Sequence, residues 1–237
     1  MRVLLLLFLT LPALAQEAPP LQDWIQEAIQ AGGGVVTVPD GVHTLAEPLV
    51  IEDAKKLALR GMGREGCVLR LAKPGPAVIE IRGRCETVEL AGLTLQGGGV
   101  RMEGGKDIHV RDCLLEFCGG PGVVFVGGND SGVERCSFRD GHGPALRVAG
   151  GAAQILLRGN QINRCPVGVE LDQAIACTVV GNEIRGASPA VRVLAGKTAP
   201  KHRLLDNGFH ASKGDAVVLQ PATVELEQAR NEVVPAS

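Results

Sequence analysis

The sequence predicts an all-β protein, a single-stranded parallel β-helix of about eight coils with a short capping helix at its N-terminal end. Three observations lead there. A short apolar pattern recurs between Met62 and Asn231, each coil offers three short strands, and an amphipathic helix precedes the first coil. In its clearest copies the pattern reads ILLRGNQI (155–162), CTVVGNEI (177–184) and HRLLDNGF (202–209). That register marks Met62, Leu93, Cys113, Cys136, Asn160, Asn182, Asn207 and Asn231, at spacings of 31, 20, 23, 24, 22, 25 and 24. Two residues beyond the marker stand Leu95, Leu115, Phe138, Ile162, Ile184, Phe209 and Val233. Three residues before it stand Leu90, Val110, Val133, Leu157, Val179 and Leu204, with Gln228 the exception in the last copy. A fixed period in this range is the signature of a solenoid.

Each coil holds three strands. In the sixth they are Ile155–Leu157 before the Asn, Gln161–Asn163 after it and Val169–Leu171 beyond a Pro-Val-Gly turn. Matching third strands are VRM (100–102), VVF (123–125), LRV (146–148), VEL (169–171), VRV (191–193) and VVL (217–219). Gly-Gly pairs at 104–105, 127–128 and 150–151 follow three of them as a repeated tight turn. The Asn marker sits at a bend. Its amide both donates and accepts, so stacked copies can bond each other and the backbone groups that the bend turns away from the ladder.

Taken in order, the chain opens with a secretory signal at residues 1–15. Arg2 supplies the positive start, Val3–Leu11 the apolar run and Ala13-Leu14-Ala15 the cleavage site, so the mature chain begins near Gln16 in an exported, secreted or periplasmic protein. Residues 16–31 hold a Pro-containing linker and the helix Leu21–Ala31, with Leu21, Trp24, Ile25, Ala28 and Ile29 on one stripe. Gly32-Gly33-Gly34 ends the helix, and VVTVPDG (35–41) alternates as a strand and stops at a turn. The helix covers the open end of the solenoid core. Residues 32–237 form the β-helix.

A net charge of −2 gives no reason to expect a nucleic-acid or membrane-surface partner. Beyond the signal, no segment approaches the ~20 apolar residues of a spanning helix. The seven Cys follow the repeat rather than a disulfide framework. Cys118 and Cys165 share a register two coils apart, roughly 9–10 Å at a strand spacing of ~4.8 Å, which is beyond bridging reach. Only Cys113 and Cys136 share a register on adjacent coils; buried free thiols are the expectation, with that pair the one place a bridge fits.

The stretch WIQEAIQAGGGVVTVPDGVHTLAEPLVI (24–51) resembles the N-terminal cap and first coil of the right-handed parallel β-helix repeat proteins of the pectate-lyase-like superfamily. With the repeat, the resemblance covers nearly the whole mature chain and implies a right-handed solenoid. For activity it implies little, because that superfamily spans lyases, hydrolases, epimerases, phage proteins and modules with no known reaction. It does imply where chemistry would sit, on the sheet built by the third strands and its flanking turns.

On that sheet the outward residues form two columns. One runs Glu80, Arg101, Val124, Arg147, Glu170, Arg192 and Val218; the other runs Arg82, Glu103, Val126, Ala149, Asp172, Leu194 and Gln220. A lyase of this type needs a cation for the uronate and a base for the C5 proton. By position Arg147, Glu170, Asp172 and Arg192 are the catalytic candidates, with Glu80, Arg82, Arg101, Glu103 and His142 as substrate-binding candidates. The bland alternative is a solvated ladder of opposite charges on adjacent strands. Short turns, the absence of Tyr and the lack of an Asp cluster for Ca²⁺ place binding above turnover. No metal or cofactor is expected.

Gly141-His142-Gly143 matches a turn of polygalacturonases, but CGGPGVVF (118–125) in the preceding coil carries no carboxylate, so a paired-carboxylate hydrolase has no second partner. Asp140 is the nearest acid, and His142 reads as a turn residue. His109 and His210 fall on outward strand positions and His202 on an inward one. Two functions remain. One is an exported protein that binds, or acts on, an acidic polysaccharide through the charged sheet, with lyase or epimerase chemistry favoured over hydrolysis. The other is a non-catalytic structural or interaction module without a carbohydrate ligand. The oligomeric state is left open.

Overall fold

A computed structural model describes residues 20–194, 201–210, 215–220 and 225–234. The predicted export signal, its cleavage site and the linker up to Pro19 lie outside the described residues. Three parallel sheets run the length of the molecule. The first has nine strands, from Gly34–Val38 to Leu226–Ala229, and the second nine, from Gly41–Leu45 to Glu232–Val234. The third has eight, from Leu49–Glu52 to Val217–Gln220. The chain visits them in turn, one strand each per coil, and winds right-handed, as expected for parallel crossovers.

Alternation along these short strands decides which side chains go in. Leu90, Val110, Val133, Leu157, Val179 and Leu204 stack down the first sheet, and Leu95, Leu115, Phe138, Ile162, Ile184 and Phe209 down the second, all buried. Met102, Phe125, Val148, Leu171 and Val193 do the same on the third. In-register stacking puts each apolar residue on its counterpart in the next coil, so one continuous core forms without any coil being stable alone.

The corner between the first and second sheets is a single left-handed residue just before the marker. Gly92, Gly159 and Gly181 take it at φ 65, 63 and 63°, where a side chain would be strained. Asp112, Arg135, Asp206 and Arg230 take it at φ 52–54°. There the chain compensates with cross-coil pairs: Arg135 donates to Asp112 at 2.9 and 2.9 Å, and Arg230 to Asp206 at 2.5 and 2.8 Å.

After each corner the marker points inward, and the predicted ladder forms. Asn160 Nδ2 donates to Asn182 Oδ1 at 2.9 Å, Asn182 to Asn207 at 3.0 Å and Asn207 to Asn231 at 2.9 Å. Each amide also donates to the strand carbonyl three residues before the marker of the preceding coil, and each Oδ1 receives a backbone N–H, as Asn182 Oδ1 does from Asn160 at 2.9 Å. Cys136 and Cys113 continue the column, with thiols that donate to Val110 and Leu90 carbonyls, the positions that an amide would use. All seven cysteines are buried and free.

One marker needs correction. Met62 keeps register on the first-sheet side, but the chain then loops out and Met62 is 75 % exposed. Cys67, fully buried and next to Val68 that pairs Thr94, fills the column beneath Leu93. The 31-residue first spacing carried that insertion.

The helix Leu21–Gln30 lies over the first coil with Leu21 and Ile25 buried, while Trp24 is only half-buried. Gln22 does more than cover apolar surface. Its amide donates to Val50 O at 3.0 Å and accepts from Val50 N at 2.8 Å, pairing the otherwise open edge of the third sheet.

Candidate functional site

The third sheet places the predicted catalytic candidates together. Arg147 pairs Glu170, and Glu170 pairs Arg192, in strict register on consecutive coils, with Asp172 two residues on from Glu170. Arg147 Nη2 donates to Asp172 Oδ2 at 2.8 Å, and Arg192 Nη1 donates to Glu170 Oε2 at 3.1 Å. Arg147 Nε lies 3.2 Å from Glu170 Oε1, an ion pair without hydrogen-bond geometry, so that N–H has no acceptor.

Burial within this group is uneven. Glu170 is 6 % exposed although it points outward, because the two arginines lie over it from both sides. The arginine side chains themselves stay 38 % and 35 % exposed. A solvated ladder would leave its carboxylate wet; here the carboxylate is roofed by cations. Removing both cations would take from Glu170 both its counter-charges and its cover, so the row is worth more to the fold than an exposed pair.

The other predicted contacts form a second, separate group. Arg82 bonds Glu52 at 3.0 Å, and Arg101 Nε bonds Glu103 at 2.7 Å in its own strand. Glu80 is half-buried between Val50 and Arg101 in register, with no ion pair among the described residues. Val124, buried, and Val126, half-buried, divide the two groups. His142 is exposed in the turn before Leu146–Ala149, where its backbone N–H donates to Cys118 O at 3.0 Å. The nine candidates are therefore two charged groups and a lone turn residue, not one continuous site.

A matching triad on the first sheet escaped the sequence reading. Glu134 is buried between Arg111, whose Nε is 3.2 Å away, and Arg158, which bonds its other oxygen. Burial alone would raise its pKa, but the Arg158 hydrogen bond and both guanidinium charges outweigh that and hold it below the usual carboxylate range. His109 stands beside it, Nε2 on Asp107 at 2.9 Å and Nδ1 3.8 Å from Glu134. The signal was available, since Arg111, Glu134 and Arg158 all fall two residues before a marker.

Other reactive groups are quiet. Burial pushes the Cys118 thiol up to about 12 and Cys67 and Cys177 to about 11, so none is a ready thiolate. His202 is buried in the inward column, where its Nδ1 accepts the Cys177 N–H at 3.2 Å. Among the described residues no three His, Cys, Asp or Glu side chains gather as a metal site, and no helix is long and apolar enough to cross a membrane.

Solved structures of similar shape share little sequence. The catalytic domain of Agl-KA matches with a TM-score of 0.65 at 12 % identity over 89 % of this chain, which spans only 50 % of that domain. An alginate lyase from Paenibacillus sp. str. FPU-7 matches at 0.64 and 12 % identity over 91 % of this chain and 94 % of its own. The surface adhesin PfbA of Streptococcus pneumoniae matches at 0.53 and 11 % identity over 90 % and 74 %. At such identities the likeness is one of fold. No curated protein sequence matches. The profile of the right handed beta helix region matches residues 77–228, more than half of the sequence, and the chain belongs to that family.

Proposed function

We propose that this is an exported protein that binds an acidic, uronate-type polysaccharide on the outer face of the third sheet, without turning it over. The observation that carries the reading is the incomplete use of Arg147 and Arg192. Each guanidinium has five N–H donors, yet among the described residues each makes one hydrogen bond, to Asp172 and to Glu170. Both side chains are more than a third exposed, and the buried Glu170 fixes their heads in place. A sugar carboxylate is the ligand that such planar, anchored forks suit. Charge balance within the group keeps the attraction weak and salt-sensitive. The alginate lyase of similar fold supports a uronate as the partner class.

Turnover has less support. Glu170 is covered and doubly paired, and Asp172 is bonded to Arg147, so neither is poised as a base. The adhesin of similar fold supports a second reading, a non-catalytic interaction module with no glycan ligand. Affinity electrophoresis in gels holding alginate or pectate separates the two. The wild type should be retarded, and a variant with Arg147→Gln, Glu170→Gln and Arg192→Gln, which leaves no lone buried charge, should migrate freely. Equal migration of wild type and variant in every acidic gel favours the interaction module.

A further inference from the structure

The outer face of the second sheet carries a group of polar side chains at one place. Two outward columns run there side by side: Ser137, Gln161, Glu183 and Gly208 in one, Arg139, Asn163, Arg185 and His210 in the other. Gln161, Asn163, Glu183 and Arg185 line a cleft of about 110 Å³. At ~30 Å³ for each water this is room for a few waters, or for the edge of one polar ring.

Many outward charges are tied to partners on the next coil, as Arg164 is to Asp140 at 2.5 and 2.8 Å. In the cleft they are not. Among the described residues the Gln161 and Asn163 amides make no hydrogen bond to protein, and Arg185 comes no nearer than 3.7 Å to Glu183. Glu183 alone is braced, by His210 Nε2 on its Oε2 at 2.9 Å. Glycine at 208 permits this, since a Cβ there would stand 2.6 Å from Glu183 Oε1. Three side chains with free hydrogen-bonding groups thus surround one fixed carboxylate.

We infer that this cleft is a second glycan-binding subsite, and that its ligand is an uncharged, hydroxyl-rich sugar edge. The two amides and the carboxylate offer acceptors, and the amides and guanidinium offer donors, so each wall matches hydroxyls, which both donate and accept. Glu183 would repel an anion and Arg185 a cation, and their charges cancel over the cleft. A neutral polyol meets neither objection. The subsite lies on a different sheet from Arg147, Glu170 and Arg192 and does not depend on that group's ligand.

Affinity electrophoresis of the full chain in gels holding galactomannan, laminarin or alginate tests this. The wild type should be retarded in at least one neutral gel. Gln161→Ala with Asn163→Ala, both side chains without protein partners, should weaken that retardation about tenfold, the loss expected for two hydrogen bonds. Gly208→Ala, which displaces the Glu183 carboxylate, should weaken it too, while alginate behaviour stays as in the wild type. The Arg147→Gln, Glu170→Gln, Arg192→Gln variant should keep neutral-glycan retardation. No retardation of the wild type in either neutral gel overturns the inference, as does retardation that survives the double alanine change. Loss confined to alginate in the double variant also overturns it.

Discussion

Two polar columns run along this solenoid, each built by repeating one register on successive coils. The bend column, Asn160 to Asn231, is buried over its first three members, and the described structure finds a partner for every donor of those amides. The outer row Arg147, Glu170 and Arg192 buries only its centre and leaves its flanking guanidiniums half-free. The difference separates two uses of polarity. A saturated column fixes the coil register and offers nothing to a ligand. A column anchored at its centre and open at its rim holds recognition groups in place.

The largest effect expected from this contrast is on the outer row. Changing Arg147 and Arg192 together to Gln should destabilise by about 2–3 kcal/mol, because Glu170 loses both counter-charges while the shorter Gln side chains uncover it only in part. Adding Glu170→Gln should restore most of that in urea denaturation. A double change that costs no more than an exposed pair would mean that Glu170 is effectively solvated, contrary to its burial.

Next comes the bend column. Asn182→Leu strips partners from the Asn160 N–H and the Leu157 carbonyl, at about 1–3 kcal/mol for leaving such groups unsatisfied. A change in urea midpoint with an unchanged slope would place the loss in the folded state. Unaltered stability would deny the column its role.

A third effect depends on pH. Burial holds His202 below its ordinary value of 6.5, so the folded protein resists a proton that the unfolded chain accepts. The stability from neutral His202 is full above about pH 6.5 and falls as pH drops from there to the folded value. Carboxylates such as Asp112 and Glu134, lowered in the fold, add their loss only in the carboxylate range. His202→Leu, although it leaves the Cys177 N–H unpaired, should flatten the stability slope just below pH 6.5. An unchanged slope would assign the acid sensitivity elsewhere.

The smallest effect is at the corner. Arg135→Gln removes a bidentate pair with Asp112, but both side chains are about half exposed, so the cost should stay under about 1 kcal/mol. A cost near that of the outer-row double change would show that burial is not what distinguishes the columns.

Much of this was legible in the sequence because a solenoid repeats its physics. Asn160, Asn182 and Asn207 share one register in the repeat, so their stack and the outward register of Arg147, Glu170 and Arg192 followed from counting. Counting failed at Met62, where a loop between register-keeping strands moved the inward position to Cys67. Degree of burial was not legible either. An outward Glu170 reads as solvated until the arginine side chains are seen to fold over it. The first-sheet triad around Glu134 obeys the same counting rule, but its burial, like that of Glu170, shows only in how the arginine side chains pack over it.

On the proposal above, the open rim of the Arg147–Glu170–Arg192 row takes a uronate. Isothermal titration of the wild type with purified uronate oligosaccharides, repeated across a range of salt, tests it most directly, with absorbance of unsaturated product followed in the same samples. The expected result is weak binding that fades as salt rises, loss of it in the triple Gln variant, and no unsaturated product. Undetectable binding at low salt would contradict the claim. So would binding indifferent to salt, or product formed by the wild type and abolished in the variant.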